Sequence, residues 1–101
     1  MEYREEKAWG VTDLSRKFVM QHLPRVGKIV KIVCFVEDGA QWVSFVGEDG
    51  DKITVSGFTW GYSGTGPTGL YRMAEVLGFD LPRDIIGSQP QEEGWEVEKG
   101  D

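Results

Sequence analysis

Residues 28–55, which read KIVKIVCFVEDGAQWVSFVGEDGDKITV, decide the fold. Three runs rich in β-branched and aromatic residues, at 28–36, 41–46 and 52–55, are separated by two turns that each contain Asp-Gly. An Asp-Gly pair tolerates the positive backbone φ that tight hairpins require. The stretch therefore predicts an antiparallel meander of three strands. The first strand is apolar at both alternating sets of positions, so we expect it to be covered on both faces.

A first amphipathic helix is predicted before the meander, over residues 12–23. Thr12 or Asp13 is an N-cap candidate, and Pro24 is expected to end the helix because proline cannot continue the hydrogen-bond ladder. Apolar residues at three- and four-residue spacings predict one buried face. They are Val11, Leu14, Phe18, Val19 and Leu23.

A second amphipathic helix is predicted after the meander. Pro67 has the fixed φ suited to a first helical position. Apolar residues then follow at i, i+3, i+4 and i+7, which are Leu70, Met73, Ala74 and Leu77. Gly78 is placed to close this helix in a left-handed cap, with Phe79 folding back onto it.

These elements predict an α+β fold, a three-stranded antiparallel meander packed with two amphipathic helices. We expect a single domain over residues 1–87 and an acidic tail over residues 88–101. Trp95 and Val97 are too apolar for a purely solvated coil. The tail could therefore dock as an additional C-terminal edge strand.

Charge and cysteine content narrow the class of protein. The 101 residues carry a net charge of −6, and the sequence pI is about 4.7, which disfavours nucleic acid as a partner because phosphates need clustered cations. No apolar run approaches the roughly 18 residues of a membrane span, and residues 1–7 lack the apolar region of a secretory signal. The single cysteine, Cys34, cannot form an internal disulfide. We therefore expect a cytoplasmic protein that is not in a membrane.

A glycine-rich segment, residues 56–69 (SGFTWGYSGTGPTG), leads into the second helix. It contains the literal pattern G-x-G-x-x-G, but an antiparallel meander is the wrong context for a dinucleotide fold. Glycines at a helix N-terminus expose amide donors and the positive end of the helix dipole, which favour a phosphate or carboxylate. The predicted ligand-binding residues are Trp60 and Tyr62 for ring stacking, Thr65, Gly66 and Thr68 as donors, and Arg72 as a guanidinium. The alternative is that the glycines serve turns and that Phe58 and Trp60 fill the core.

The sequence contains almost none of the residue combinations that form catalytic or metal-binding sites. His22 is the only histidine and Cys34 the only cysteine, so no zinc site, other metal site or cofactor is expected. Cys34 in an apolar strand is expected to act as a small buried hydrophobe. No base is identifiable beside Ser63 or Thr65. We therefore predict that the protein is not an enzyme, unless Asp84 or Glu75 lies in a pocket beside the glycine loop with a strongly raised carboxyl pKa.

Residues 57–67, GFTWGYSGTGP, resemble the signature Phe-x-Trp-Gly-Tyr-Gly-Gly-Ser/Thr-Gly-Pro of a family of small bacterial and phage proteins of unknown function. The resemblance extends to residue 77 and covers about a fifth of the chain. Ser63 replaces a glycine of that signature, and Leu70-Tyr71 is bulkier than the usual start of the helix. The resemblance implies a phage or mobile-element setting, and the family has no known activity that could be extended to this chain.

Two functions of different classes remain open. The first is a non-enzymatic binding module for a small anionic, nucleotide-like ligand, held at the glycine loop. The second is an acidic inhibitor or nucleic-acid mimic that blocks a host defence protein, because residues 37–101 carry a net charge of −9. Homo-oligomerisation is left open in both.

Overall fold

A computed structural model of the chain describes residues 1–100 and shows an α+β fold on one five-stranded sheet. The strands are β1 (Glu2–Arg4), β2 (Ile29–Glu37), β3 (Ala40–Gly47), β4 (Lys52–Val55) and β5 (Trp95–Glu98), and the helices are α1 (Thr12–Val26), α2 (Thr65–Val76) and α3 (Ile85–Ser88). The strand order is β1-β4-β3-β2-β5. The β1–β4 pair is parallel and the other pairs are antiparallel.

The predicted meander is confirmed as β2, β3 and β4. Asp38 and Gly39 form the first turn with φ values of 52° and 78°, between the paired residues Glu37 and Ala40. Two successive positive φ values are the signature of the tight hairpin turn that Asp-Gly favours. In the second turn Gly50 has a φ of 89°. The two Asp-Gly turns thus set the register of the central sheet.

Two edge strands flank the meander and complete the five-stranded sheet. β5 pairs with β2, so the predicted C-terminal edge strand is confirmed and residues 95–98 belong to the sheet rather than to a separate tail. β1 pairs with β4 and was not predicted. Its three residues, Glu-Tyr-Arg, are too few to show an alternating pattern.

The helices cover one face of the sheet. Alternate strand residues join the core with the helices, including Ile32, Cys34, Val43, Phe45 and Ile53. The prediction that β2 is covered on both faces is wrong, because Val33 and Phe35 on the opposite face are only half-buried. On that face the Arg4 guanidinium lies 4.2 Å from the centroid of the Trp42 ring, so Trp42 is buried without a covering helix.

The first helix departs from its prediction at both ends. Val11 occupies the N-cap position, and the helix continues through Pro24 to Val26, where the Gly27 amide donates to the Leu23 carbonyl. Burial of Val26 keeps this last turn in place despite the missing proline N–H. The buried face also differs, since Ser15 is fully buried and Leu14 is 45% exposed.

The second helix begins at Thr65, so Pro67 is its third residue rather than its first. Its predicted end is confirmed. Gly78 has a φ of 89° and donates its amide to the Glu75 carbonyl, while the Phe79 amide donates to the Ala74 carbonyl at 2.8 Å. This is a Schellman cap, in which a left-handed glycine satisfies the last carbonyls of a helix. Within residues 1–100 no helix has both the length and the apolarity to cross a membrane.

Candidate ligand-binding site

Trp60 anchors the glycine-rich loop in the core. Its side chain is fully buried, and its Nε1 donates to the carbonyls of Pro90 and Glu93 at 3.0 and 3.1 Å. Its ring meets Trp95 edge to face, with centroids 6.5 Å apart. The predicted role of Trp60 as a stacking surface for a ligand is therefore wrong, because both its faces and its polar edge are already occupied within the protein.

Side-chain amides tie the same loop to the sheet and to the C-terminal segment. Gln41 on β3 accepts from the Trp60 amide and donates to the Trp60 carbonyl at 3.1 Å and to the Gln91 carbonyl at 3.0 Å. Gln91 donates back to the Gly61 carbonyl. These bonds fix residues 89–93 of the predicted acidic tail against the loop and the sheet.

Two of the glycines are required by close contacts. A Cβ on Gly66 would lie 2.0 Å from Thr59 Oγ1, and a Cβ on Gly69 would lie 2.4 Å from Thr12 Cγ2. Gly69 therefore allows α2 to approach α1 closely. Packing accounts for these glycines without any ligand, as the alternative interpretation of the segment proposed.

An open cleft of about 610 Å³ lies between the end of this loop, the outer face of α2 and the turn into α3. The charged side chains that line it are Arg72, Glu75, Arg83 and Asp84. Tyr62, Ser63 and Thr68 line its other side. Three predicted binding residues, Tyr62, Thr68 and Arg72, are thus brought together.

The other predicted residues lie elsewhere. Thr65 lines a separate groove between α1 and α2 rather than the cleft. Gly66 is buried beneath the loop, where it packs against Thr59. The structure therefore divides the predicted donor set between two sides of α2.

Arg83 is the cleft residue that sequence reasoning missed. It lies in the irregular segment after Leu81-Pro82, where no periodicity indicates which side chains share a surface. Among residues 1–100, neither Arg72 nor Arg83 lies within 4.0 Å of a carboxylate oxygen. No carboxylate of this part of the chain therefore prevents the two guanidiniums from forming bidentate bonds with an anion.

The start of α2 adds to the positive character of this end of the fold. Its first turn contains no acidic residue, and its N-cap, Gly64, provides no side-chain acceptor. Two backbone donors are missing from this turn, because the Thr68 amide donates to the Gly64 carbonyl and Pro67 has no N–H. The positive character therefore comes from the helix dipole. An anion near this end is favoured by the helix dipole by about 0.3–1 kcal/mol.

Tyr62 forms the rim of the cleft. Its side chain is 43% exposed, and its hydroxyl shares a hydrogen bond of 2.7 Å with Thr59 Oγ1. A Cβ on Gly64 would contact the Tyr62 ring at 3.0 Å, so the ring lies over the start of α2. Tyr62 is the aromatic side chain of the loop that remains available to stack on a ligand.

The residues of the cleft show no nucleophile paired with a base. Asp84 and Glu75 do line it, but the Ser88 hydroxyl donates to the Ile85 carbonyl at 3.0 Å rather than to either carboxylate. Cys34 is buried in β2, and burial raises the pKa of its thiol, so it is the small hydrophobe that was predicted. No group of three potential metal ligands occurs within residues 1–100.

Comparison with protein-family models, with curated proteins and with solved structures gives no match. The resemblance of residues 57–77 to small bacterial and phage proteins therefore stays a prediction.

Proposed function

We propose that this protein is a non-enzymatic binding module that holds a small anionic ligand in the cleft between α2 and α3. The observation that carries this proposal is the pair of arginines, Arg72 and Arg83, that line one cleft from two different segments without an ion-pair partner among residues 1–100. Unpaired arginines facing a concave surface favour a phosphate or carboxylate.

The remaining lining residues narrow the ligand class. Glu75 and Asp84 also line the cleft, so the ligand should carry hydrogen-bond donors as well as an anionic group. The exposed Tyr62 ring offers a surface for a planar group. A nucleotide-like molecule has all three features, namely an anionic phosphate, hydroxyl or amino donors and a flat ring. The buried, unpaired Cys34 supports placing this function in a reducing compartment such as the cytoplasm.

Isothermal titration with inorganic phosphate and a panel of nucleoside monophosphates tests the proposal. We expect Arg72→Gln and Arg83→Gln each to raise the Kd for the tightest of these at least tenfold, because each removes a charge-assisted hydrogen bond. Arg25→Gln is the matched control, since Arg25 is exposed at the far end of α1 and lines neither the cleft nor the groove between α1 and α2. Absence of binding, or equal affinity in all three variants, would refute the proposal.

The acidic surface supports a second candidate function, inhibition of a basic host protein such as a defence factor. Three exposed carboxylates form no ion pair within residues 1–100. They belong to Glu92, Glu93 and, on the edge strand β5, Glu98. Deleting the C-terminal segment would not test this, because Pro90 and Glu93 hold Trp60. The triple variant Glu92→Gln, Glu93→Gln, Glu98→Gln keeps those backbone contacts. If a pulled-down partner binds that variant with unchanged salt dependence, the acidic surface is not the contact.

A further inference from the structure

A second cavity lies on the other side of α2. It is a groove of about 370 Å³ between α1 and α2. Its apolar lining comprises Met20, Phe58, Met73 and Val76. Phe58 and Met73 are buried and form the floor, whereas Met20 and Val76 are 46% and 68% exposed and form the rims. Exposed methionine and valine beside a buried floor leave apolar surface available to a ligand.

Arg72 connects this groove with the anion-binding cleft. It lines both cavities. At about 100° per residue, Thr65, Gly69 and Val76 share one face of α2, while Thr68 and Glu75 share the adjacent face, and Arg72 lies at the boundary between them. A molecule held by its anionic group at Arg72 therefore has an apolar surface directly beside it.

Among residues 1–100, Arg72 is also the cation of the groove that forms no ion pair. Arg16 lines the groove, but its guanidinium is bound to the Asp13 carboxylate at 2.9 Å. Arg72 has no such partner among residues 1–100. The charge pattern therefore places the anionic end of an occupant at Arg72 and its uncharged end between Met20 and Val76.

We infer that the ligand of this protein is an anionic amphiphile, whose anionic, nucleotide-like end binds in the cleft at Arg72 and whose single alkyl or acyl chain lies in the groove between α1 and α2. This inference rests on the proposed function and adds the apolar part of the ligand to it. It assigns the groove to the same small molecule as the cleft, rather than to a protein helix or a membrane surface.

The test compares inorganic phosphate with octyl phosphate, used below its critical micelle concentration, by isothermal titration. The readout is the Kd for phosphate divided by the Kd for octyl phosphate. We expect the unmodified protein to bind octyl phosphate at least tenfold more tightly than phosphate, and the double variant Met20→Gln, Val76→Gln to bring that ratio close to one. Both substitutions are uncharged and fall at exposed rim positions, so the variant is expected to fold.

Leu14→Gln is the matched control, because Leu14 is 45% exposed on α1 but does not line the groove. Any of three results would overturn the inference. The ratio is near one in the unmodified protein, it is unchanged in the double variant, or Leu14→Gln lowers it as well. The first of these results, with phosphate binding still dependent on Arg72 and Arg83, leaves the proposed function standing. Failure of octyl phosphate to bind, with a nucleoside monophosphate still bound through Arg72 and Arg83, would overturn the inference alone. Binding of every probe that is insensitive to Arg72→Gln would overturn both.

Discussion

The Ser15 hydroxyl donates a hydrogen bond of 2.8 Å to Oε1 of Glu5, which joins α1 to the N-terminal segment. Both side chains are buried, with exposed fractions of 0% and 3%. The same Glu5 oxygen accepts from the Ser56 amide at 2.7 Å, and Ser15 Oγ accepts from the Gly57 amide at 2.8 Å. The network thus pairs two buried backbone amides at the point where the chain leaves β4 for the glycine-rich loop.

Glu5→Ala should reduce the free energy of unfolding by about 2–4 kcal/mol, because the Ser56 amide and the Ser15 hydroxyl would lose their buried acceptor. Glu5→Gln retains a side-chain oxygen and should cost less. Urea denaturation followed by circular dichroism measures both. Glu6→Ala, at an exposed neighbouring position, is the control and should change stability by less than about 0.5 kcal/mol. Equal stability of Glu5→Ala and Glu6→Ala would show that the network does not stabilise the fold.

Trp60→Ala should cost about 3–5 kcal/mol, the range for emptying a packed aromatic site. Trp60→Phe retains most of the apolar contact but leaves the Pro90 and Glu93 carbonyls without the indole donor, so its cost should be smaller, at about 1–3 kcal/mol. Thermal denaturation would rank the two variants. An unchanged melting temperature in Trp60→Ala would contradict the anchoring role of this side chain.

Gly78→Ala should destabilise the protein by about 1–2 kcal/mol, because a residue with a Cβ is strained at a φ of 89°. The new Cβ would also meet Lys99 Nζ at 2.8 Å, but the end of a flexible lysine can move away. Chemical denaturation gives the comparison with Gly100→Ala, where no atom lies within 4 Å and no positive φ is required. A Gly78→Ala variant as stable as Gly100→Ala would mean that the C-terminal cap of α2 contributes little.

Cys34 should resist alkylation by iodoacetamide at pH 8 in the native protein and react readily in urea. Burial both blocks access and raises the pKa of the thiol, which lowers the thiolate fraction that reacts. In the unfolded chain the thiol titrates near pH 8.5, so unfolding releases a proton above that pH and stability should fall as the pH rises through it. Cys34→Ser should not show this fall. Native-state labelling as fast as labelling in urea would contradict the placement of Cys34 in the core.

Local sequence predicted the parts of the fold that depend on neighbouring residues. The Asp38-Gly39 turn and the Gly78 cap are recognisable because a positive φ is tolerated by few residue types, and those residues stand next to the elements they terminate. Pro24 misled the prediction of α1, because the burial of Val26 outweighs the loss of one helical hydrogen bond. The candidate site was predicted in part, with Tyr62, Thr68 and Arg72 in the cleft.

The remaining features depend on contacts between residues far apart in the chain. Residues next to Trp60 do not decide whether it lies on the surface or in the core. Its indole nitrogen is bound by the carbonyls of Pro90 and Glu93, which lie 30 and 33 positions away in the chain. Arg83 joins Arg72 in one cleft only because α2 is followed by a turn that folds back along it. The sequence by itself therefore determined the three strands of the meander, their two Asp-Gly turns and the Gly78 cap of α2, whose geometry is set by adjacent residues. Tertiary structure decided which aromatic is buried and which arginines meet, because burial and proximity are properties of the assembled chain.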